Sequence, residues 1–229
     1  MNIQDRIEGV FIGAIAPLTG ERDSAIVKHA VGGSIELTPL GLCGDMQADR
    51  VNHGGPERAL LHYCARHYAV WAHEFPDVAG RFAAPGFGEN LSSANLDEEN
   101  VCIGDLYLLG TARVQVSQPR SPCWKLDAHL GVAGLARRVQ DTQRCGWLYR
   151  VLEPGRIAAG DRIELLQRPN PDFSVAAVMR AVNAARVDRD SLVAIAALPE
   201  LSANWRGKAE RRLSGDDPDS RARLQGTPP

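Results

Sequence analysis

The sequence predicts a mainly β fold with a few helices and a small C-terminal three-helix domain, an α+β protein overall. Two observations predict this class. Short strand patterns separated by glycines fill residues 1–168, and three short helical patterns fill residues 171–213. Many short strands with Gly turns are typical of a closed or nearly closed β-barrel. Residues 214–229 are polar, contain Pro and Gly and lack periodicity, which predicts a flexible tail.

The clearest strand is 112–118, where apolar and polar side chains alternate strictly. An apolar run at 104–110 precedes it, and Gly110-Thr111 predicts a hairpin between the two. The other predicted strands are 9–16, the hairpin 24–31 with 34–40 across Gly32-Gly33, and the pair 147–152 and 162–166 with a turn at 153–155.

Two helices interrupt the predicted strands. Residues 57–75 follow Pro56, carry an apolar stripe and end before Pro76, as helices commonly do. Residues 128–141 form a weaker amphipathic pattern. In the C-terminal region the predicted helices are 174–186, 190–199 and 202–213, with Ser174, Asp190 and Ser202 as N-caps.

Composition excludes several classes of protein. Of 229 residues, 44% are hydrophobic, which excludes wholesale disorder. Lys and Arg number 26 against 28 Asp and Glu, so we expect no general binding of nucleic acid. No apolar stretch reaches the length of a membrane helix, and the N-terminal residues lack the apolar core of a signal peptide. We therefore expect a cytoplasmic protein that does not bind membranes.

Five cysteines are present, an odd number that cannot pair fully within one chain. None forms a C-x-x-C motif, so the sequence supports neither a zinc ribbon nor an iron–sulfur cluster. Cys123 differs from the others because it lies in the segment 118–125, which contains two prolines and the cations Arg120 and Lys125. Nearby cations favour a thiolate, which is a nucleophile and a soft metal ligand. The alternative is a packed cysteine beside Trp124, and the prolines and cations favour the reactive form.

Two glycine-bearing segments are further candidates. Residues 44–58 lead into the predicted helix at 57, and free N–H groups at a helix start can hold a phosphate. His53 could donate a proton there. In residues 86–91, Asn90 could hydrogen-bond the edge of a heterocycle. A plain surface loop and a plain hairpin turn are the alternatives for these two segments.

Together these segments resemble the MOSC superfamily and, within it, the YiiM-like proteins. The matching stretches are 41–63, 86–92, 101–107, 114–126 and 146–155, and the C-terminal helices resemble the three-helix domain of those proteins. The resemblance implies a MOSC-type β-barrel over residues 1–168 that binds a molybdenum–molybdopterin cofactor, with Cys123 as the metal ligand. It also implies reduction of N-hydroxylated compounds, such as 6-hydroxylaminopurine and other hydroxylamino base analogues, to amines, a detoxification role.

Under this hypothesis, Cys123, His53 and Asp49 are the catalytic candidates, the last two as proton relays. The candidates for cofactor binding are Arg50, Asn52, Gly54, Gly55, Arg58, Asn90, Arg120 and Lys125. The sequence shows no electron-supply module, so a separate electron-donating reductase is expected. The basic last helix could dock an acidic partner or simply face solvent, and a homodimer is expected only because dimers are common.

Two other functions remain open at this stage. Cys123 could carry a persulfide in a sulfur-carrier or molybdenum-cofactor-handling protein, since the same activated thiol would serve. It could also be the nucleophile of a metal-free enzyme, which requires a base close in space. His53 is the residue nominated for that base.

Overall fold

The computed structural model of the chain describes residues 5–19, 22–216 and 221–226. Its strands are β1 (Asp5–Arg6), β2 (Gly9–Ile12), β3 (Ala16–Thr19), β4 (Arg22–Ser24), β5 (His29–Ala30), β6 (Ile35–Thr38), β7 (Gly41–Leu42), β8 (Leu60–Cys64), β9 (Leu91–Ser93), β10 (Leu106–Leu109), β11 (Ala112–Pro119), β12 (Trp147–Glu153), β13 (Gly155–Ile157) and β14 (Arg162–Gln167). Its α-helices are α1 (Arg50–His53), α2 (Arg66–Glu74), α3 (Lys125–Leu130), α4 (Leu135–Thr142), α5 (Val175–Asn183), α6 (Arg189–Ala196), α7 (Ala203–Ser214) and α8 (Arg221–Gln225).

Nine strands form the main sheet in the order β1-β14-β10-β11-β12-β8-β9-β2-β5. Neighbours are antiparallel except β8 and β9, which run parallel. A second sheet has the order β13-β6-β7, and β3 pairs with β4. The α+β class is confirmed, but within the described residues the main sheet is not closed into the predicted barrel. Closure would require β1 and β5 to pair, whereas each is two residues long and pairs with one neighbour.

The predicted hairpin of β10 and β11 is confirmed, with Leu109 opposite Ala112. Gly110 supplies the turn with a φ of 54°. Ala112, Val114 and Val116 are fully buried, as their alternation predicted. From Val116 onwards β11 is buried on both faces. The cavity-lining loop 118–125 begins at the end of this strand.

The predicted helix 57–75 is wrong in its first half. Residues 60–64 form β8, which pairs with β12 on one side and β9 on the other. Leu60, Tyr63 and Cys64 are fully buried, because this strand lies in the interior of the sheet. An apolar run that is buried on both faces lacks the period that would separate strand from helix. The helix itself is α2, which buries Trp71 and ends before Pro76.

The structure also changes four other local predictions. The hairpin 24–31 with 34–40 does not form, since β5 pairs with β2 while β6 pairs with β13 and β7. The strands 147–152 and 162–166 form, but β13 lies between them and they do not pair with each other. The helix 128–141 divides into α3 and α4, separated by Gly131 and Gly134 at φ of 64° and 78°. The strand 9–16 divides into β2 and β3.

The three C-terminal helices form as α5, α6 and α7. Ser174 and Ser202 cap α5 and α7, whereas Asp188, not Asp190, caps α6. Buried side chains of these helices belong to the same hydrophobic cluster as the main sheet, including Val178, Ile195 and Trp205. The backbone N–H of Ser202 donates to Ser117 of β11 at 2.9 Å. The helices therefore pack directly against the strand that leads to Cys123.

Within the expected flexible tail, residues 221–225 form α8, and Leu224 is only 5% exposed. The N–H of Trp124 donates to the carbonyl of Arg223 at 2.9 Å. An apolar side chain and a backbone hydrogen bond anchor this segment, despite its polar composition. The remaining predicted tail includes 217–220 and 227–229, which lie outside the described residues. Among the described residues, no helix is both long and apolar enough to cross a bilayer.

Candidate functional site

A cavity of about 530 Å³ lies where the loop 118–125 meets several other parts of the chain. Residues 24–28 and 45–58 form much of its wall, and Asn204 and Lys208 of α7 add a further side. Phe87, Gly88 and Asn90 contribute from the segment before β9, and Ala222 and Arg223 from the C-terminal segment 221–226. Strand ends, loops and helices from distant parts of the sequence therefore converge on one pocket.

Cys123 is half-buried in this wall, and its Sγ lies 3.8 Å from Nε2 of His53. The loop around it is held on both sides. The N–H of Arg120 donates to Gly146 at 3.0 Å, and Trp124 donates to Arg223. The Arg223 guanidinium also donates to the carbonyl of Pro122. These bonds fix the thiol at the cavity surface.

His53 and Asp49 belong to one short turn. The Asp49 carboxylate caps α1 by accepting from the N–H groups of Val51 and Asn52, at 3.1 and 3.0 Å. Its second oxygen accepts from Nδ2 of Asn52 at 2.8 Å and lies 3.8 Å from Nδ1 of His53. Burial raises the pKa of Asp49, but the hydrogen bonds from Asn52 and Val51 and the nearby His53 together outweigh it, and the net pKa is lowered. Asp49 is therefore ionised at neutral pH.

Burial lowers the pKa of His53 to about 4, and Lys125, Arg120 and Arg58 act in the same direction, while Asp49 opposes them. The His53 side chain is 43% exposed, so solvent reduces the effect of burial on its pKa. The surrounding cations act in the same direction as burial. The imidazole is therefore neutral at pH 7 and offers one donor and one acceptor.

The predicted phosphate site at a helix start is not formed. Residues 56–58 form a single 3-10 turn, and α1 is already capped by Asp49. Arg50, Gly54 and Gly55 do not line the cavity. A phosphate site here required a helix beginning at residue 57, whereas the chain forms a 3-10 turn and then enters the buried strand β8.

Six basic side chains line the cavity: Lys28, Arg58, Arg120, Lys125, Lys208 and Arg223. The two acidic residues in the lining, Asp45 and Asp49, already have internal partners. Nη1 of Arg120 and Oε1 of Gln118 are buried without a hydrogen-bond partner among the described atoms. Buried polar atoms normally have partners. The arrangement therefore favours an anionic ligand that brings hydrogen-bonding groups of its own.

Asn90 lines the cavity, but its side-chain amide makes hydrogen bonds within the protein. Its Nδ2 donates to Asp45 at 2.9 Å and to the carbonyl of Phe11 at 3.2 Å, while Oδ1 accepts from the N–H of Leu61 at 3.1 Å. Both amide hydrogens are thus used, which leaves one lone pair for a heterocycle. The expected ligand contact through Asn90 would therefore use this remaining lone pair.

Sequence reasoning missed the Lys28–Asp45 pair. Nζ lies 2.5 Å from Oδ1, and both side chains are almost fully buried. Burial lowers the pKa of Lys28, while Asp45 opposes that shift. The pair joins the neighbourhood of β4 and β5 to the loop before α1. The two residues are 17 positions apart, and no local pattern signals their contact.

Residues 49–164 match the family model described as MOSC domain, and residues 174–216 match the model described as YiiM-like, 3-alpha helix domain. The chain is a YiiM-like member of the MOSC family. It is 44% identical over 218 residues to Protein YiiM of Escherichia coli strain K12, covering 95% of this chain and 97% of that protein. The crystal structure of E. coli YiiM gives a TM-score of 0.83 at 38% identity, covering 97% and 98% of the two chains.

This MOSC protein is also 40% identical over 183 residues to a Gibberella moniliformis protein named Reductase. The match covers 80% of this chain but 32% of the fungal protein. Only the matched part of that relative is therefore comparable with this chain.

In this MOSC protein, the structure brings eight of the predicted site residues to the cavity: Cys123, His53, Asp49, Asn52, Arg58, Asn90, Arg120 and Lys125. It also adds Lys208 from the predicted basic helix. That helix is not uniformly solvated, since Nζ of Lys208 donates to Oγ of Ser121 at 2.7 Å and Arg212 is 9% exposed. The sequence indicated only that this helix is basic. Charge alone does not distinguish a solvent-facing lysine from one in a cavity.

Proposed function

We propose that this MOSC protein is a molybdenum-cofactor-dependent reductase that converts N-hydroxylated compounds, such as 6-hydroxylaminopurine, to amines. The observation that carries the proposal is a cavity of about 530 Å³ in which one half-buried cysteine lies among six basic side chains. Membership of the YiiM-like group and the name Reductase of the fungal relative support the same class. The role would be detoxification of hydroxylamino base analogues.

The cavity fits a molybdopterin cofactor in its donor chemistry. The Cys123 thiolate would be the soft protein ligand to the metal. Arg120 has a buried, unpartnered Nη1, and Arg58 and Lys125 add positive charge for the phosphate of the pterin. Within the described residues, no group of three or more His, Cys, Asp and Glu side chains could hold a metal. A metal that arrives bound to its pterin would require only one protein ligand.

When bound, the cofactor supplies the two-electron chemistry that reduces the N–O bond. The overall reaction consumes two electrons and two protons and yields the amine and water. The protein's own part is to hold the cofactor, orient the substrate and deliver protons. Neutral His53 lies at the cavity wall, with its Nε2 facing Cys123 and its Nδ1 facing Asp49. It would pass protons from solvent into the cavity. A separate reductase would supply the electrons.

The first test measures molybdenum and pterin per chain in protein purified from a host that makes the cofactor. We expect near-stoichiometric metal in the unsubstituted chain, loss of metal in Cys123→Ala and retention in Cys43→Ala, whose cysteine is exposed elsewhere. Reduction of 6-hydroxylaminopurine with a chemically reduced dye should follow the metal. Metal retained in Cys123→Ala would reject the ligand assignment.

Absence of metal from all three proteins, in a host shown to make the cofactor, would reject the reductase. Persulfide on Cys123, detected by mass spectrometry, would then support the sulfur-carrier or cofactor-handling function instead.

One observation favours a second candidate, a metal-free cysteine nucleophile. His53 lies 3.8 Å from the Cys123 sulfur and Asp49 lies 3.8 Å from the other ring nitrogen. This order matches nucleophile, base and orienting carboxylate. A burst of product from an activated thioester, dependent on Cys123 and unaffected by removal of metal, would support it. If no burst is seen, the reductase remains the proposed function of the site that contains Cys123 and His53.

A further inference from the structure

Three cations from three parts of the chain line the cavity. Lys208 comes from α7, Arg58 from the 3-10 turn before β8, and Arg223 from α8. Their convergence joins the three-helix domain, the sheet domain and the C-terminal segment around one volume.

Lys208 is held in this position by packing and by one hydrogen bond. Its Nζ lies 4.3 Å from the centre of the buried Trp205 ring and donates to Ser121 at 2.7 Å. Because an ammonium has three hydrogens, two remain for a ligand. Ser121 is two residues before Cys123, so Lys208 contacts the loop that carries the thiol.

The charges that act most strongly on Lys208 are Arg223, Arg58 and Arg211. Loss of solvent and these three cations lower the pKa of Lys208 to about 7. Arg211 is exposed on the same helix and does not line the cavity. The other two guanidiniums already donate to backbone carbonyls of the wall, which fixes their positions. An anion among the three would relieve their mutual repulsion.

We propose that Lys208, Arg58 and Arg223 form a subsite for a phosphate group, so that the three-helix domain is part of the ligand-binding site. The ligand class is a phosphate mono- or diester small enough for the cavity. The subsite does not depend on molybdenum or on the reductase activity. Its phosphate could belong to the cofactor or to a phosphorylated substrate.

The test uses inorganic pyrophosphate and the full-length chain from a host that cannot make the pterin, followed by titration calorimetry at pH 7.5. The variants are Lys208→Met and, as the matched control, Arg211→Met, which removes one charge from the same helix outside the cavity. We expect Lys208→Met to weaken binding at least tenfold and Arg211→Met to change it less than twofold. Lys208→Arg, which keeps the charge, should retain most of the affinity.

Proton uptake gives an independent readout. Binding of an anion should raise the Lys208 pKa, so the unsubstituted chain should take up protons that Lys208→Met does not. Thermal melts of both variants check that the fold is intact. Equal weakening by the two Met variants, unchanged affinity in folded Lys208→Met, or no saturable binding by the unsubstituted chain would each overturn the subsite.

The same titration with adenosine monophosphate on cofactor-loaded protein separates the two sources of phosphate. Loss of binding upon loading assigns the subsite to the cofactor's phosphate. Binding that persists and still requires Lys208 assigns it to a phosphorylated substrate. Both results support the subsite, and persistent binding that is independent of Lys208 contradicts it.

Discussion

At the scale of single residues, the degree of burial separates the candidate reactive cysteine from the structural ones. Burial raises the pKa of the Cys64 thiol and raises that of Cys145 well above its usual value. Cys123 is the half-buried thiol, and it lies on a cavity wall with a histidine neighbour. Structural cysteines and the candidate ligand are therefore distinguished by their environment rather than by their sequence spacing.

Glu89 provides a residue-scale prediction about pH. This carboxyl is fully buried, and burial raises its pKa to about 7 although Tyr68 and the N–H of Phe87 donate to it at 2.6 and 3.0 Å. Between pH 4.5 and 7 the folded chain therefore holds a proton that the unfolded chain releases. Its contribution to the free energy of unfolding should fall across that interval by an amount on the order of 3 kcal/mol.

We expect Glu89→Gln to remove this fall, measured by urea denaturation at pH 5, 6, 7 and 8. Exposed Glu164→Gln is the matched control and should follow the unsubstituted profile. Parallel profiles for the unsubstituted chain and Glu89→Gln would show that Glu89 does not titrate in this way.

At the scale of elements, α7 is held by its first turn. Oγ of Ser202 accepts from the N–H of Trp205 at 3.3 Å, and the Ser202 side chain is almost fully buried. Ser202→Ala should lower the free energy of unfolding by about 1 kcal/mol, because it removes this cap. Chemical denaturation measures the change. Ser214→Ala, at the exposed end of the same helix, should cost less, and an equal cost would mean that the cap does not hold α7.

Local patterns predicted the elements whose partners are close in sequence. The β10–β11 hairpin and the caps Ser174 and Ser202 are examples, since alternation and capping are decided within a few residues. The position of β8 inside the sheet depends on β12 and β9, which lie far along the chain. Its apolar run was therefore interpreted as the start of a helix.

In the candidate site too, residue types were predictable from the sequence, whereas contacts between distant residues were not. Residue chemistry was enough to nominate Cys123, His53, Arg58 and Arg120. Their geometry was not predictable, because the contact of Cys123 with His53 spans 70 positions. Lys208 was hidden for a similar reason, since only tertiary packing directs one lysine of a basic helix towards a cavity.

At the scale of the whole molecule, the C-terminal segment 221–226 lies against the cavity that contains Cys123. Arg223 contacts Pro122 and donates to Oε1 of Gln140 at 2.6 Å, and its carbonyl accepts from Trp124. These contacts tie the residues on both sides of Cys123 to α4. The segment therefore restricts both movement of the loop and access to the thiol.

Truncation after Asp216 should make Cys123 react several-fold faster with iodoacetamide, because the cavity is opened and the loop released. Peptide mass spectrometry measures the rate at each cysteine. Exposed Cys43 serves as the internal control, and its rate should not change. An unchanged rate at Cys123 in a folded truncated chain would show that the segment does not protect it.

The distribution of charge in the molecule also determines what can enter the site. Acidic residues outnumber basic ones over the whole chain, yet six basic side chains are gathered in one cavity. A compact anion therefore experiences a field focused through the cavity mouth, which speeds its capture at low ionic strength. The cavity charge thus draws small anions towards the site before any specific contact forms, so added salt should slow their association.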